Sequence, residues 1–179
     1  MKEILFGVSG GIAAYKSATV VSRLVQQGLG VTVAMTNAAT ELVAPKTFEA
    51  LSGRPVQTSV FHTDRIHAHI EPAREAEIFC IAPATANILA KAAHGIADDL
   101  LSTLILSFKG TLLFAPAMNT AMWNKPSVQR NVRQIIEDGA LMIGPASGRL
   151  SCGETGIGRM VEPEQIVAEI IRLTASSSS

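Results

Sequence analysis

The sequence predicts an α/β fold, a doubly wound parallel sheet in three layers with helices covering both faces. Two features of the pattern predict it. Short apolar runs alternate with amphipathic helical stretches along the chain, and the runs are apolar at successive positions, as strands buried on both faces are. A third observation, the length of 179 residues, suits one domain with a sizeable core. Right-handed crossovers between such strands place a ligand site beyond the strand C-termini.

The elements follow in order. Ile4 to Val8 is the first strand, and Ala13 to Gln27 the first helix, closed by Gly28. Val31 to Met35 is the second strand, ending in the polar Thr36-Asn37. Helical segments cover Ala38 to Leu51, with a new turn at Pro45, and Val56 to Phe61 reads as a short strand. Ile78 to Ala82 is a third clear strand, followed by helices over Ala86 to Ala93 and Asp98 to Phe108. Thr111 to Ala115 is a strand, Ser127 to Asp138 a helix, and Leu141 to Ile143 a strand. The glycine-rich stretch 144–160 has no periodicity and reads as a long loop, after which Pro163 opens a last helix to about Leu173. The domain is expected to span 1–174, with 175–179 a disordered tail or the remnant of a linker.

Composition narrows the function classes. Hydrophobic residues make up 47% and charged residues 17%, and the mean hydropathy is +0.30. No run reaches the roughly 18 unbroken apolar residues of a membrane span, so the surplus is expected between subunits of a homo-oligomer. Net charge is zero, the 15 basic residues form no stripe, and only one Trp and one Tyr are present, which argues against nucleic acid. Cys80 and Cys152 lie far apart, in neither a metal-ligand spacing nor a disulfide framework. The start of the chain lacks the pattern of a signal peptide, and a reducing cytoplasm is expected.

The loop Gly7-Val8-Ser9-Gly10-Gly11-Ile12 joins the first strand to the first helix. Glycines there admit an anion to a helix N-terminus, whose free N–H groups and dipole favour it. The spacing is neither G-x-G-x-x-G nor a Walker loop, since Gly7, Ser9 and Ile12 stand at the dinucleotide glycine positions. Strand two ends in Thr36, where a dinucleotide fold places an acid for the ribose. A tight turn with no ligand would also account for the loop alone. With Thr36 beside it, a mononucleotide such as FMN is the better reading.

Four more segments carry specific chemistry: His69-Ile70 on to Arg74, Pro83-Ala84-Thr85-Ala86-Asn87, Pro116-Ala117-Met118-Asn119-Thr120-Ala121-Met122-Trp123, and Gly148 to Met160 around Cys152. Together with the first loop, over residues 3–172 and in matching order, they resemble the homo-oligomeric flavin-containing cysteine decarboxylases, above all the members acting on phosphopantothenoylcysteine. The resemblance implies a flavodoxin-like FMN protein, assembled as trimers or trimer-based dodecamers with sites between subunits. It implies flavin contacts from Ser9, Gly10, Gly11, Ile12, Thr36, Pro83, Ala84, Thr85, Ala86, Asn87 and Ala115. It implies substrate contacts from Asn119, Arg74, Met118 and Lys16. The family also includes chains joined to a phosphopantothenoylcysteine synthetase, so a fused or separate synthetase is an expected partner.

Three residues are expected to be catalytic. His69 matches the family histidine and titrates near neutrality, although His67 competes for the assignment; His62 and His94 read as ordinary. Asn119 offers donor and acceptor without charge, so it can orient a carboxylate and still let it leave as carbon dioxide. Cys152 lies in the glycine-rich stretch, which the resemblance makes a flap over the substrate, whereas Cys80 reads as a buried strand residue. Arg74 reads equally as a contact to acidic groups of the substrate or a solvated helix charge. Thr85 and Asn119 have the simpler reading of helix caps, and Met118, Met122 and Trp123 of packing.

A cysteine carboxylate has no adjacent electron sink, and oxidation of the thiol to a thioaldehyde creates one, which is chemistry that a flavin supplies. The resemblance implies loss of carbon dioxide, re-reduction of the ene-thiol with a proton from Cys152, and phosphopantetheine as product in coenzyme A biosynthesis. Alternatives are a peptidyl-cysteine decarboxylase that releases a C-terminal ene-thiol, a flavin-binding regulatory subunit, and a flavin-prenylating enzyme. Intact His69, Asn119 and Cys152 weigh against the regulatory subunit, and the Pro116–Trp123 segment and flap against the prenylating enzyme. Ser151 and Ile88 depart from the family's usual alanine and threonine.

Overall fold

The computed structural model describes residues 2–59, 76–149, 153 and 155–176. Five parallel strands form one sheet: β1 (Glu3–Val8), β2 (Gly30–Met35), β3 (Ile78–Ala84), β4 (Thr111–Pro116) and β5 (Leu141–Met142). Their order is β2-β1-β3-β4-β5, the flavodoxin-like arrangement, in which the winding reverses between β1 and β3. Strand β1 pairs Ile4 with Val31 on one side and with Ile78 on the other.

The continuous apolar runs are explained by two cores, one on each face. Ile4, Phe6 and Val8 join Val31, Val33, Ile78 and Cys80 on one side, under α1 (Ala14–Gln26), α3 (Pro45–Ser52) and α8 (Pro163–Ser176). Leu5, Phe79, Ile81 and Phe114 face the other, under α4 (Ala86–His94), α5 (Leu100–Ser107) and α7 (Pro126–Glu137). At roughly 1.5–3 kcal/mol for each large buried side chain, these two cores supply the main driving force for folding. Gly7 lets α5 approach β1, because a Cβ there would sit 2.6 Å from Leu101 Cδ1.

Helix boundaries follow local chemistry. Buried Ala14, Ser17, Val20, Val21 and Leu24 give α1 its inward stripe, and Gly28, at φ 79°, ends it. Ser17 is buried without penalty because its hydroxyl donates to the Ala82 carbonyl at 2.6 Å. The 38–51 stretch resolves into a short α2 (Asn37–Thr40) and α3, which Pro45 opens. Asp99 and Ser102 form a capping box at α5.

Three expectations are corrected. The stretch 144–160 contains an antiparallel hairpin, β6 (Ala146–Arg149) with β7 (Thr155–Arg159). Its glycines conceal the strands, since they contribute no apolar alternation to read. The strand expected over Val56–Phe61 is, among the described residues, a single bridge in which Gln57 pairs with Ala34. The last helix continues to Ser176, past the expected Leu173. A short α6 (Thr120–Trp123) also lies within the segment that follows β4.

Candidate functional site

A cleft of about 1260 Å³ opens at the carboxyl ends of β1 to β4, where the winding reverses. That exceeds the roughly 300–1,000 Å³ of an ordinary ligand pocket and leaves room for two molecules side by side. The first loop, the ends of β2, β3 and β4, and the hairpin all contribute to its wall.

Helix α1 points its N-terminus at the cleft and has no side-chain cap; Gly10, Gly11, Ile12 and Ala13 line the wall there. The Ala14 and Lys16 N–H groups turn back to the Gly11 and Ala13 carbonyls, each at 2.9 Å, so no side chain competes with an external anion for the positive end of the helix. The glycines have a further reason. A Cβ on Gly10 would overlap that of Ala38, and one on Gly11 would lie 3.2 Å from Thr85 Cγ2. Three strand-end turns thus converge too closely for side chains. Ser9 joins two of them: 2% exposed, it donates to the Pro83 carbonyl at 2.7 Å and accepts from Thr85 N–H at 3.1 Å.

The other turns end in capped helices. Thr36 Oγ1 accepts from Ala39 N–H at 3.2 Å, and Thr85 Oγ1 from Ile88 N–H at 3.3 Å. Asn119 Oδ1 accepts from Met122 N–H at 2.8 Å. All three also line the cleft, so each is both cap and wall. With its oxygen engaged, Asn119 retains two amide N–H donors. The hairpin braces this turn, as Met118 N–H donates to the Gly158 carbonyl at 2.9 Å, and Gly156 lies against Thr120 where a Cβ would collide.

Ser9, Gly10, Gly11, Ile12, Thr36, Thr85, Ala86 and Asn87 are brought together on the cleft wall, with Lys16, Met118 and Asn119. Pro83, Ala84 and Ala115, also expected at the flavin, are buried at the ends of β3 and β4 and are not among the residues that line the cleft. All three are strand residues, and the Pro83 carbonyl accepts from Ser9 Oγ. His69, Arg74 and Cys152 lie outside the described residues, as do His62 and His67. Cys80 is fully buried in β3, which raises its thiol pKa far above the ordinary range and keeps it unreactive.

Charged groups that the sequence reading passed over also reach the cleft. Lys91 Nζ lies 2.6 Å from both Asp98 and Asp99. Burial works to raise the Asp99 carboxyl, but hydrogen bonds from Lys91 and Ser102 outweigh it and leave the group below the usual carboxylate range. Arg149 and Arg159 line the cleft from β6 and β7, and Arg159 pairs with Glu162. The hydrogen bond from Lys16 holds the Glu162 carboxyl below its ordinary value. The two arginines stood in the Gly148–Met160 segment, but only the hairpin shows that they face the cavity.

The sequence matches the family described as Flavoprotein over residues 1–175. This chain belongs to that family. It is 46% identical over 169 residues to a protein of Vibrio cholerae described as coenzyme A biosynthesis bifunctional protein CoaBC, covering 93% of this chain and 42% of that one. The protein of the same description from Bacillus subtilis is 45% identical over 168 residues. The chain therefore spans about two fifths of the length of these curated relatives. Among solved structures, a mutant PPC decarboxylase complexed with pantothenoylaminoethenethiol superposes with a TM-score of 0.85 at 30% identity, covering 98% of both chains. The FMN-dependent cysteine decarboxylase SpaF gives 0.81 at 34% identity, covering 97% of this chain and 98% of that one.

Proposed function

We propose that this chain is an FMN-dependent decarboxylase that converts phosphopantothenoylcysteine to phosphopantetheine in coenzyme A biosynthesis. The observation that carries the reading is one cleft with an open helix N-terminus at one side and the amide of Asn119 at another. Support comes from the CoaBC relatives and from the similarity to PPC decarboxylase.

The residues present fit FMN. The uncapped N-terminus of α1 suits a phosphate, the hydroxyls of Thr36 and Thr58 suit a ribityl chain, and Ile12, Ala86 and the exposed Asn87 suit the edge and face of a ring. Bound there, FMN supplies the two-electron chemistry that creates an electron sink β to the substrate carboxylate. The protein binds, orients and moves protons. Asn119 directs its amide N–H donors at the carboxylate; being neutral, it does not hold the group back as a cation would. Met118 and Met122 line the cleft beside it and exclude water from the leaving group. His69 takes the thiol proton and Cys152 returns a proton to carbon; both roles rest on the family motif. The cations Lys16, Arg149 and Arg159 favour a phosphorylated substrate over a peptide end.

The reading extends to the whole molecule. The decarboxylase domain, expected over 1–174 and carried to Ser176 by α8, works with a synthetase that is fused or separate, in the cytoplasm. A homo-oligomer, trimer or dodecamer, would cover Ile12, Tyr15 and Leu106, which are each about 60% exposed.

The deciding experiment is to purify the chain, record its visible spectrum and follow its products with phosphopantothenoylcysteine by mass. Yellow protein that forms phosphopantetheine is the expected result, with Cys152→Ser accumulating a product two hydrogens lighter. Yellow protein inert towards this substrate but active on a peptide C-terminal cysteine would replace the substrate assignment. Protein that cannot be loaded with FMN would overturn the proposal.

A further inference from the structure

Lys16 on α1 and Arg159 at the end of β7 both line the cleft, and one carboxylate outside the lining holds both. Lys16 Nζ lies 3.2 Å from Glu162 Oε1 and 3.1 Å from Oε2, and Arg159 Nη2 donates to Oε1. Glu162 is itself fixed at the start of α8. Its N–H donates to Gln165 Oε1 at 3.1 Å, and its carbonyl accepts from the Gln165 and Ile166 N–H groups. Space for Arg159 is reserved by Gly148, where a Cβ would come within 3.2 Å of Nη1. Arg149 adds a third cation to the same cleft.

Two long cationic side chains would each lose rotamer entropy on gripping an anion. A carboxylate braced behind them removes much of that loss before the anion arrives. Two cations against one anion still leave a net positive charge, so an incoming phosphate is attracted. With the Glu162 side chain 45% exposed, its repulsion of that phosphate is screened, and ordering outweighs it. The carboxylate also ties the hairpin to α1 and α8, so the cations keep their place only while β7 is docked.

We propose that Glu162 is a positioning residue that holds Lys16 and Arg159 ready for the phosphate of the substrate. The inference rests on the function proposed above and concerns a residue with no role in it.

The test is steady-state kinetics of the FMN-loaded chain on phosphopantothenoylcysteine and on the same compound without its phosphate. Glu162→Gln should raise KM for the phosphorylated substrate about tenfold, leave both kcat values within about twofold, and leave KM for the unphosphorylated one unchanged. In a Lys16→Ala background, adding Glu162→Gln should change KM by less than about twofold, because the two act as a unit. Titration of flavin-free protein with FMN, followed by flavin fluorescence, should give the same Kd for wild type and Glu162→Gln. A weaker Kd for FMN would show that these cations serve the phosphate of the cofactor, and would overturn the inference. Equal effects on both substrates, or a full additional effect in the Lys16→Ala background, would overturn it too. A wild type that prefers the phosphorylated substrate beside an unaltered variant defeats this inference alone. A wild type inert towards both substrates defeats the functional reading and this inference with it.

Discussion

The turn after β1 and the turns after β2, β3 and β4 meet at one cleft, yet they treat their helix ends differently. Helix α1 begins without a side-chain cap, while Thr36, Thr85 and Asn119 cap α2, α4 and α6. An uncapped end leaves N–H groups and a dipole for a ligand, at a cost in stability that a bound anion offsets. A capped end has spent one acceptor on its own helix, and what remains is the rest of the side chain. For Asn119 the remainder is an amide with two donors. Under the proposed function, the first turn takes the phosphate of FMN and the fourth offers neutral hydrogen bonds to the substrate.

The largest expected effect tests the fourth turn. Asn119→Asp keeps an oxygen for Met122 N–H but replaces the amide donors with charge. It should lower kcat about a hundredfold or more, on the scale of losing a positioned donor, with an unchanged Tm. Asn119→Ala should lose activity and also about 1 kcal/mol of stability, as a lost cap does; a chemical denaturation series separates the two. Next comes the first turn. Gly10→Ala drives a methyl group into Ala38, and overpacking of this kind costs about 1–3 kcal/mol. FMN affinity, read by fluorescence titration, should fall at least about tenfold as the loop moves from the α1 end.

Smaller effects belong to the caps. Thr36→Ala and Thr85→Ala should each cost about 1 kcal/mol of unfolding free energy, while the Ser variants stay near wild type. If Thr36→Ala left stability untouched and weakened only FMN, the cap would be incidental and the contrast between turns would fail. The smallest effect is at the rim. A carboxyl depressed in the folded state contributes stability that is present above its unfolded-chain value and lost as pH falls through the folded value. Asp99 is such a group, held down mainly by Lys91 and Ser102 against the opposing effect of burial. Asp99→Asn should be less stable than wild type near neutral pH, and the two should converge in acid when Tm is followed against pH.

Much of this was legible in the order of residues. Apolar runs continuous over Ile4–Val8 and Ile78–Ala82 required burial on both faces, and both faces carry a core. Gly28 and Pro45 marked a helix end and start. The hairpin was not legible, because Gly148, Gly156 and Gly158 leave the strands no alternating side chains, and their reason lies across the cleft: Gly156 faces Thr120 and Gly158 faces the Met118 carbonyl. Nor was the burial of Pro83, Ala84 and Ala115. A motif shows which residues stand near a ligand without showing which way each side chain points from a strand.

By itself, the sequence determined the parallel sheet and pointed to the family, because hydrophobic periodicity and short motifs are local and survive in one dimension. Only the tertiary structure decided that α1 is the open helix end, that Gly10 and Gly11 are small because neighbouring turns press on them, and that Glu162 braces two cations. Those facts depend on distances between residues far apart in the chain, and no local pattern records such distances.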